Sequence, residues 1–374
     1  MDYAHRWPFK SLADHLRRGF NIWIISVLTA TLGVCFAESA APETVHRRHF
    51  VMGTWLDLHV EAPTHSSALA ASESVLRMVE EAERRLSTWR DDSELTGLNQ
   101  TRTGDWVELS SSLARDLSEA GRWERLSHGA FRPGIALLVE MWDLRGQGRV
   151  PTSDGLRLGV SASLPDGIEF VGRRSRRTRS DYRIEEGGFG KGAALVDTIE
   201  AVRVAGASCA VMDFGGQVFL WGECGPVSIA VADPRDRQVP VAEIKLAGGS
   251  AASSGTSERG ILVDGERLGH ILDPRTGVPV ADWGSVTVIS SDPMTADCIS
   301  TALYVMGPRV GAEWILRYPD IQAVFVERRA GDLRISATSG LVGRLQTLGG
   351  RSVDWLQTAD DVDPERSENF EQSN

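Results

Sequence analysis

A chain of 374 residues, 42% hydrophobic and 24% charged, carries enough apolar side chain for a sizeable core, which excludes a disordered or fibrous protein. Its formal net charge of -11 excludes a general binder of nucleic acid or anionic membrane, which needs clustered cations to displace counterions. Positive charge comes almost wholly from arginine: the lysines are Lys10, Lys191 and Lys245. In chain order, Arg17 and Arg18 precede an apolar run, residues 20–37, that ends in the small residues Ala37, Ser39, Ala40 and Ala41. This is the pattern of an export signal, so residues 1–41 are read as a signal peptide cleaved near Ala41. The alternative is an uncleaved anchor, because roughly 18 apolar residues reach the lower limit for spanning a bilayer. Cys35 is not read as a lipid site, since Val34 is too large for the position before one. The mature protein is therefore expected in the periplasm or exported, attached to the inner membrane if the segment stays.

Roughly 330 residues remain, about one large domain or two small ones by length. A strand is expected over residues 50–60, with Met52, Thr54, Leu56, Leu58 and Val60 on one side, followed by an amphipathic helix over 66–86. Residues 145–180 turn to Gly, Pro, Ser and Arg and read as an exposed connection, its arginines at 173, 174, 176, 177 and 179 forming a solvated hairpin tip or loop rather than a nucleotide patch. Short β-type runs follow at 209–212, 218–221, 227–231, 242–246, 260–263 and 285–289, then helical pattern at 295–305 and 310–316 and a strand at 323–327. The fold class is α+β, a single domain over 42–348, and the polar, acidic residues 349–374 are expected to be a disordered tail. Once the signal is removed, Cys209, Cys224 and Cys298 remain without metal-site spacing. An oxidising compartment would permit a Cys209–Cys224 bridge; independent buried thiols are the alternative.

Four segments could carry chemistry. Gly187-Gly188-Phe189-Gly190-Lys191-Gly192 lies between strand-like 182–184 and a helical run at 193–202, where glycines allow close backbone approach and free amides can face phosphate oxygens. Its spacing is neither a Walker loop nor a dinucleotide fingerprint, and a plain strand-to-helix turn reads equally well. Ser253-Ser254-Gly255-Thr256 with Glu258-Arg259 offers hydroxyls and a guanidinium suited to phosphate, or a hydrogen-bonded loop. His270 precedes the turn Asp273-Pro274-Arg275-Thr276-Gly277, which gathers a carboxylate, a guanidinium and a hydroxyl beside an imidazole. Asp297 and Thr301 sit four apart on a helix capped by Asp292 with Pro293 in its first turn. Such a pair can supply part of a Mg2+ shell; in the structural alternative Thr301 bonds back to the Asp297 carbonyl.

Taken in this order, the segments resemble the FAD:protein FMN transferase (ApbE-like) family over about residues 50–340. The match rests on Met52-Gly53-Thr54, Leu86-Ser87-Thr88-Trp89, Ser93-Glu94-Leu95, Leu98-Asn99, Gly129-Ala130-Phe131 with Trp142, the glycine loop, Phe214-Gly215-Gly216, Ser254-Gly255 with Glu258-Arg259, His270 with its turn, and Thr295-Ala296-Asp297 with Thr301. The resemblance implies an α+β fold with the FAD cleft between two subregions. It also implies FAD contacts at Met52, Trp89, Ala130, Phe131, Glu185, Lys191 and Leu272, with Ser254 and Arg259 as phosphate partners. Mg2+ would be held by the Gly188 carbonyl, Asp297 and Thr301. The implied reaction moves FMN from FAD to a Thr or Ser hydroxyl of an exported or membrane redox protein and releases AMP, with His270 assisting the hydroxyl. The chain departs from the family pattern in two places: Arg132 follows Phe131 where an aspartate is usual, and Glu185 replaces an aspartate before the glycine loop. A non-catalytic FAD-binding accessory protein and an FAD pyrophosphatase are the alternatives.

Overall fold

In the computed structural model, residues 41–357 are described, except 257–259 and 264. The signal or anchor expected at 1–41 therefore lies outside the described residues, apart from its last position. The chain opens with a hairpin, β1 (Glu43–Val51) and β2 (Thr54–Ala62), rather than the single strand expected over 50–60. Met52 and Gly53 turn the chain, with φ of 49° and 70°. Two consecutive positive φ values make the primed type of turn that matches strand twist. Helix α1 (His65–Leu86) starts at a capping box of Thr64 and Ser67 and buries Val75, Val79, Ala82 and Leu86 of the apolar stripe expected from the sequence, with Ala68 and Ala71, while Leu69 is exposed and Leu76 half-buried. There follow α2 (Glu94–Gln100), β3 (Val107–Glu108), α3 (Ser111–Leu126) and α4 (Ala136–Met141).

The connection expected over 145–180 is more regular than its composition suggests. It contains α5 (Ser153–Ala162), capped by Thr152, and the hairpin β4 (Ile168–Val171) and β5 (Arg174–Arg177). The arginine cluster is not a bare solvated tip. Arg174 and Arg176 lie over the Trp106 ring at 5.1 and 4.7 Å, and Arg177 is buried against main-chain carbonyls of Asn99 and Ser180.

The remaining elements are α6 (Gly190–Val204), β6 (Cys209–Phe214), β7 (Gln217–Gly222), β8 (Val227–Asp233), β9 (Asp236–Leu246), β10 (Gly249–Gly255), β11 (Gly260–Val263), β12 (Glu266–Gly269), β13 (Gly284–Ser290), α7 (Pro293–Ile315), β14 (Gln322–Arg329), β15 (Asp332–Thr338), β16 (Leu345–Thr347) and β17 (Val353–Leu356). The two helical runs expected at 295–305 and 310–316 form one helix, α7, broken at Gly307-Pro308 where φ is 76°. Part of the stretch expected as a tail from 349 is ordered instead: β17 pairs in parallel with β15, and its Val353 and Leu356 side chains pack against the two cores, while residues 358–374 lie outside the described residues.

Among the described residues the strands form one nine-stranded sheet, ordered β1-β2-β6-β7-β10-β13-β14-β15-β17, and three smaller ones. Both faces of its middle strands are apolar, so successive residues feed two cores. Val286, Val288, Ala323 and Phe325 pack with α7, whereas Ile289, Val324 and Val326 pack with β8, β9 and β16. The helices α1, α6 and α7 thus lie on one face and a three-stranded sheet on the other. Cys209 and Cys224 form a disulfide at the open end of the β6–β7 hairpin. Cys298 is a buried free thiol on α7 whose pKa burial drives up, so it is inert as a nucleophile.

Candidate active site

The α6–α7 contact builds the site. Residues 182–184 are irregular rather than strand-like, because they pair with a side chain instead of a neighbouring strand. Asn99 accepts from the Ile184 N–H and donates to its carbonyl, each at 2.8 Å. The glycine run then turns into α6, whose N-cap, Phe189, offers no side-chain bond. That vacancy is filled from α7: Asp297 Oδ2 accepts from the Gly192 N–H at 2.9 Å. Its other oxygen, Oδ1, lies 3.6 Å from the Lys191 ammonium, which is 29% exposed. Asp297 itself is buried and cannot be a solvent-facing helix residue.

Gly192 allows this approach, since a Cβ there would stand 2.6 Å from both Met294 Cα and Pro293 O and 2.9 Å from Asp297 Cβ. A Cβ on Gly188 would meet Phe131 Cε2 at 3.1 Å and the Thr301 hydroxyl at 3.5 Å. One on Gly190 would meet Met52 Cε at 3.3 Å. The glycine loop therefore gathers Asp297, Thr301, Lys191, Phe131 and Met52. Met52 is fixed further by donating its N–H to Glu83 at 2.9 Å. The oxygens of Asp297 and Thr301, with a loop carbonyl, are hard donors of the kind Mg2+ takes.

A second group lies on the approach to the loop. Trp89 is 63% exposed in the turn after α1. Thr88, beside it, donates its N–H to Glu186 at 3.1 Å and its hydroxyl to Glu186 at 2.5 Å. Burial pushes the Glu186 carboxyl up to about 7, and the charge of Glu185 adds to this, while the Thr88 bonds oppose it. Glu185 pairs with Arg145 at 2.5 Å, and the Arg145 guanidinium stacks 4.5 Å over the Trp89 ring.

Other expected residues are placed differently. Ala130 and Phe131 are buried, with the Phe131 ring in the core beneath the loop. Leu272 packs in a cluster with Leu138, Trp142 and Ile261, so its side chain serves the core. Ser254 bonds to Ser300 at 2.9 Å, tying β10 to α7 one residue before Thr301. The Asp273–Gly277 turn is internally paired: Arg275 binds Asp273 through two nitrogens at 2.8 and 2.9 Å, so its carboxylate and guanidinium engage each other. His270 follows β12 at the base of this turn, partly exposed. Arg259 lies outside the described residues.

Arg132 is not the free charge its departure from the family pattern suggests. Its side chain is buried beside Glu124, and it donates to Ser163 at 3.0 Å and to the Pro274 carbonyl at 3.4 Å. Arg145, Glu186 and Glu124 were missed from sequence. The signal for Glu124 was its spacing, four residues after Ala120 and seven after Leu117 on the buried stripe of α3. No comparable signal marks Arg145, whose partners come from distant segments.

Residues 52–325 match the ApbE family. The "FAD:protein FMN transferase" of Treponema pallidum (strain Nichols) is 27% identical over 363 residues, covering 88% of this chain and 97% of the relative. The apbe protein structure from Thermotoga maritima msb8 is 28% identical with a TM-score of 0.69, covering 76% of this chain and 94% of its own. "Flavin Transferase ApbE from Vibrio cholerae", at 24% identity and a TM-score of 0.71, spans 81% of this chain and 100% of that structure, and shares the fold. With the matched residues spanning the glycine loop, the α6–α7 contact and the Trp89 turn, the chain belongs to the ApbE family.

Proposed function

We propose that this chain is an FAD:protein FMN transferase that moves FMN from FAD to a Thr or Ser hydroxyl of an acceptor protein and releases AMP. The observation that carries this reading is the convergence of Asp297, Lys191, Thr301 and Gly188 at the α6–α7 contact. The diphosphate of FAD lies against the glycine loop, where main-chain amides and the Lys191 ammonium offset its charge. Asp297, Thr301 and the Gly188 carbonyl would hold Mg2+, which when bound neutralises the diphosphate and the AMP leaving group. Met52 and Trp89 bind the planar rings by soft contact and stacking. The acceptor hydroxyl attacks the phosphorus of the FMN half and the P–O bond to AMP breaks, AMP leaving with the electron pair. His270 takes the hydroxyl proton.

Two features support export of the protein: the apolar run after Arg17 and Arg18, and the Cys209–Cys224 disulfide, a bond that persists in oxidising compartments. An exported or membrane redox protein is then the acceptor. The deciding experiment incubates the protein with FAD, Mg2+ and a threonine-bearing acceptor domain. An acceptor heavier by the mass of FMN, with equimolar AMP, is expected. FAD bound without AMP would mark an accessory protein instead, and free FMN formed without acceptor a pyrophosphatase.

A further inference from the structure

Arg145 binds Thr88, Glu185 and the Trp89 ring at the approach to the glycine loop, yet it belongs to none of the motifs. It stands in the turn after Trp142, which is itself anchored: the Trp142 indole donates to the Gly277 carbonyl at 2.7 Å, and Arg149 returns its N–H to the Trp142 carbonyl at 3.0 Å. From there Arg145 reaches segments far away in sequence. One terminal nitrogen donates to the Thr88 carbonyl at 3.0 Å; the other donates to the Thr88 hydroxyl and to Glu185 at 2.5 Å. Its guanidinium plane covers one face of Trp89. The partners differ in what they need. Glu185 stands beside Glu186, so its charge needs a cation, and Trp89 is otherwise exposed and needs a flat surface to define its rotamer. A planar, forked cation meets both needs at once, whereas an ammonium meets only the first.

We infer that Arg145 is a positioning residue for the flavin dinucleotide, holding Trp89 and Glu185 in the orientation in which they bind a planar ring. This rests on the reading of the site as an FAD site and extends it to a residue outside the resemblance. Because the contacts of Arg145 are with Thr88, Trp89 and Glu185, its contribution falls on binding and leaves the transfer step alone. Loss of the fork frees the Trp89 ring and leaves Glu185 with an unmatched charge facing an anionic ligand, so affinity drops.

The test measures FAD binding to the full protein by quenching of flavin fluorescence, alongside AMP release with acceptor. Arg145→Ala is expected to raise the FAD dissociation constant and KM about tenfold, with kcat within about twofold of wild type, an energetic change of about 1.4 kcal/mol. Arg145→Lys, which restores the charge but not the plane, should recover only part of that loss. Trp89→Ala combined with Arg145→Ala should be no weaker than Trp89→Ala by more than about threefold, because much of the effect passes through the ring. Wild-type protein that binds no FAD would overturn the reading of the site. Wild-type binding with an unchanged constant in Arg145→Ala, or a loss confined to kcat or to melting temperature, would overturn the role of Arg145 alone.

Discussion

Arg132 Nε lies 3.0 Å from Glu124 Oε1, with the two side chains only 9% and 7% exposed. The atoms are close enough for an ion pair but lie off the line of a hydrogen bond, so the attraction is Coulombic and imperfectly satisfied. This pair links the last turn of α3 to the 129–133 segment, and through the Pro274 carbonyl to the turn after His270. The positive charge that replaces the family's aspartate is thereby turned inward, toward Glu124, Ser163 and the Pro274 carbonyl.

The pair makes stability depend on pH. Burial pushes the Glu124 carboxyl from 4.5 up to about 7, more than Arg132 pulls it down. A group whose folded pKa is raised stabilises fully below its unfolded pKa and loses that contribution as pH rises through the folded value. The window is therefore pH 4.5 to 7, and the loss is at most about 3 kcal/mol. Glu124→Gln, a neutral isostere, is expected to match wild type near pH 4.5 and to lack this decline, ending the more stable of the two at pH 8. Urea denaturation of both proteins across that range checks it; parallel curves would show that Glu124 does not titrate there.

Gly192 and Gly187 separate two uses of glycine in the same loop. At Gly187 an added Cβ meets only Glu185 Oε1 at 3.8 Å, whereas at Gly192 it meets backbone of α7 at 2.6 Å. Alanine is the better helix former by about 1 kcal/mol. The overpacking at Gly192 costs about 3 kcal/mol, so Gly192→Ala should lose about 2 kcal/mol overall. Gly187→Ala should leave the melting temperature within a degree or two, and equal effects at both positions would mean that α6 and α7 do not touch at Gly192.

Much of this site was legible in the sequence because its parts are local. Asp292 and Pro293 announce the start of α7, and the four-residue spacing of Asp297 and Thr301 then fixes their shared face. The glycine loop is likewise a contiguous signal. What escaped notice depends on tertiary pairing. Arg145 meets Thr88 and Glu185 across 57 and 40 residues. Residues 153–162 form a helix despite the two glycines Gly155 and Gly159, because Thr152 caps it and Gly159 lets it pack on Leu138. The β1–β2 hairpin was read as one strand because Met52 hides a positive-φ turn that Asn or Asp would have advertised.

The Cys209–Cys224 disulfide closes a separation of 15 residues. A loop of that size constrains the unfolded chain by about 3 kcal/mol in the chain-entropy account. Reduction, or the double substitution Cys209→Ser with Cys224→Ser, should lower the melting temperature by several degrees while FAD binding persists, because the bond lies at the far end of the β6–β7 hairpin from Gly215. Thiol titration of the native protein should count no reactive cysteine after signal removal, and two accessible thiols would show the bond to be absent.

Asp297 serves α6 as a cap through Oδ2 and faces Lys191 through Oδ1, so substitution must separate structure from chemistry. Asp297→Ala removes both and should cost about 1 kcal/mol of stability as a lost cap. Asp297→Asn can still accept the Gly192 N–H through its amide oxygen but lacks the charge that would hold the proposed divalent cation. A metal that stabilises the leaving group contributes several kcal/mol to the transition state, so AMP release by Asp297→Asn should fall at least about a hundredfold, or about 2.7 kcal/mol. Its melting temperature should stay close to wild type. Retention of more than about a tenth of the wild-type rate would reduce Asp297 to a helix cap and overturn the metal shell proposed at the α6–α7 contact.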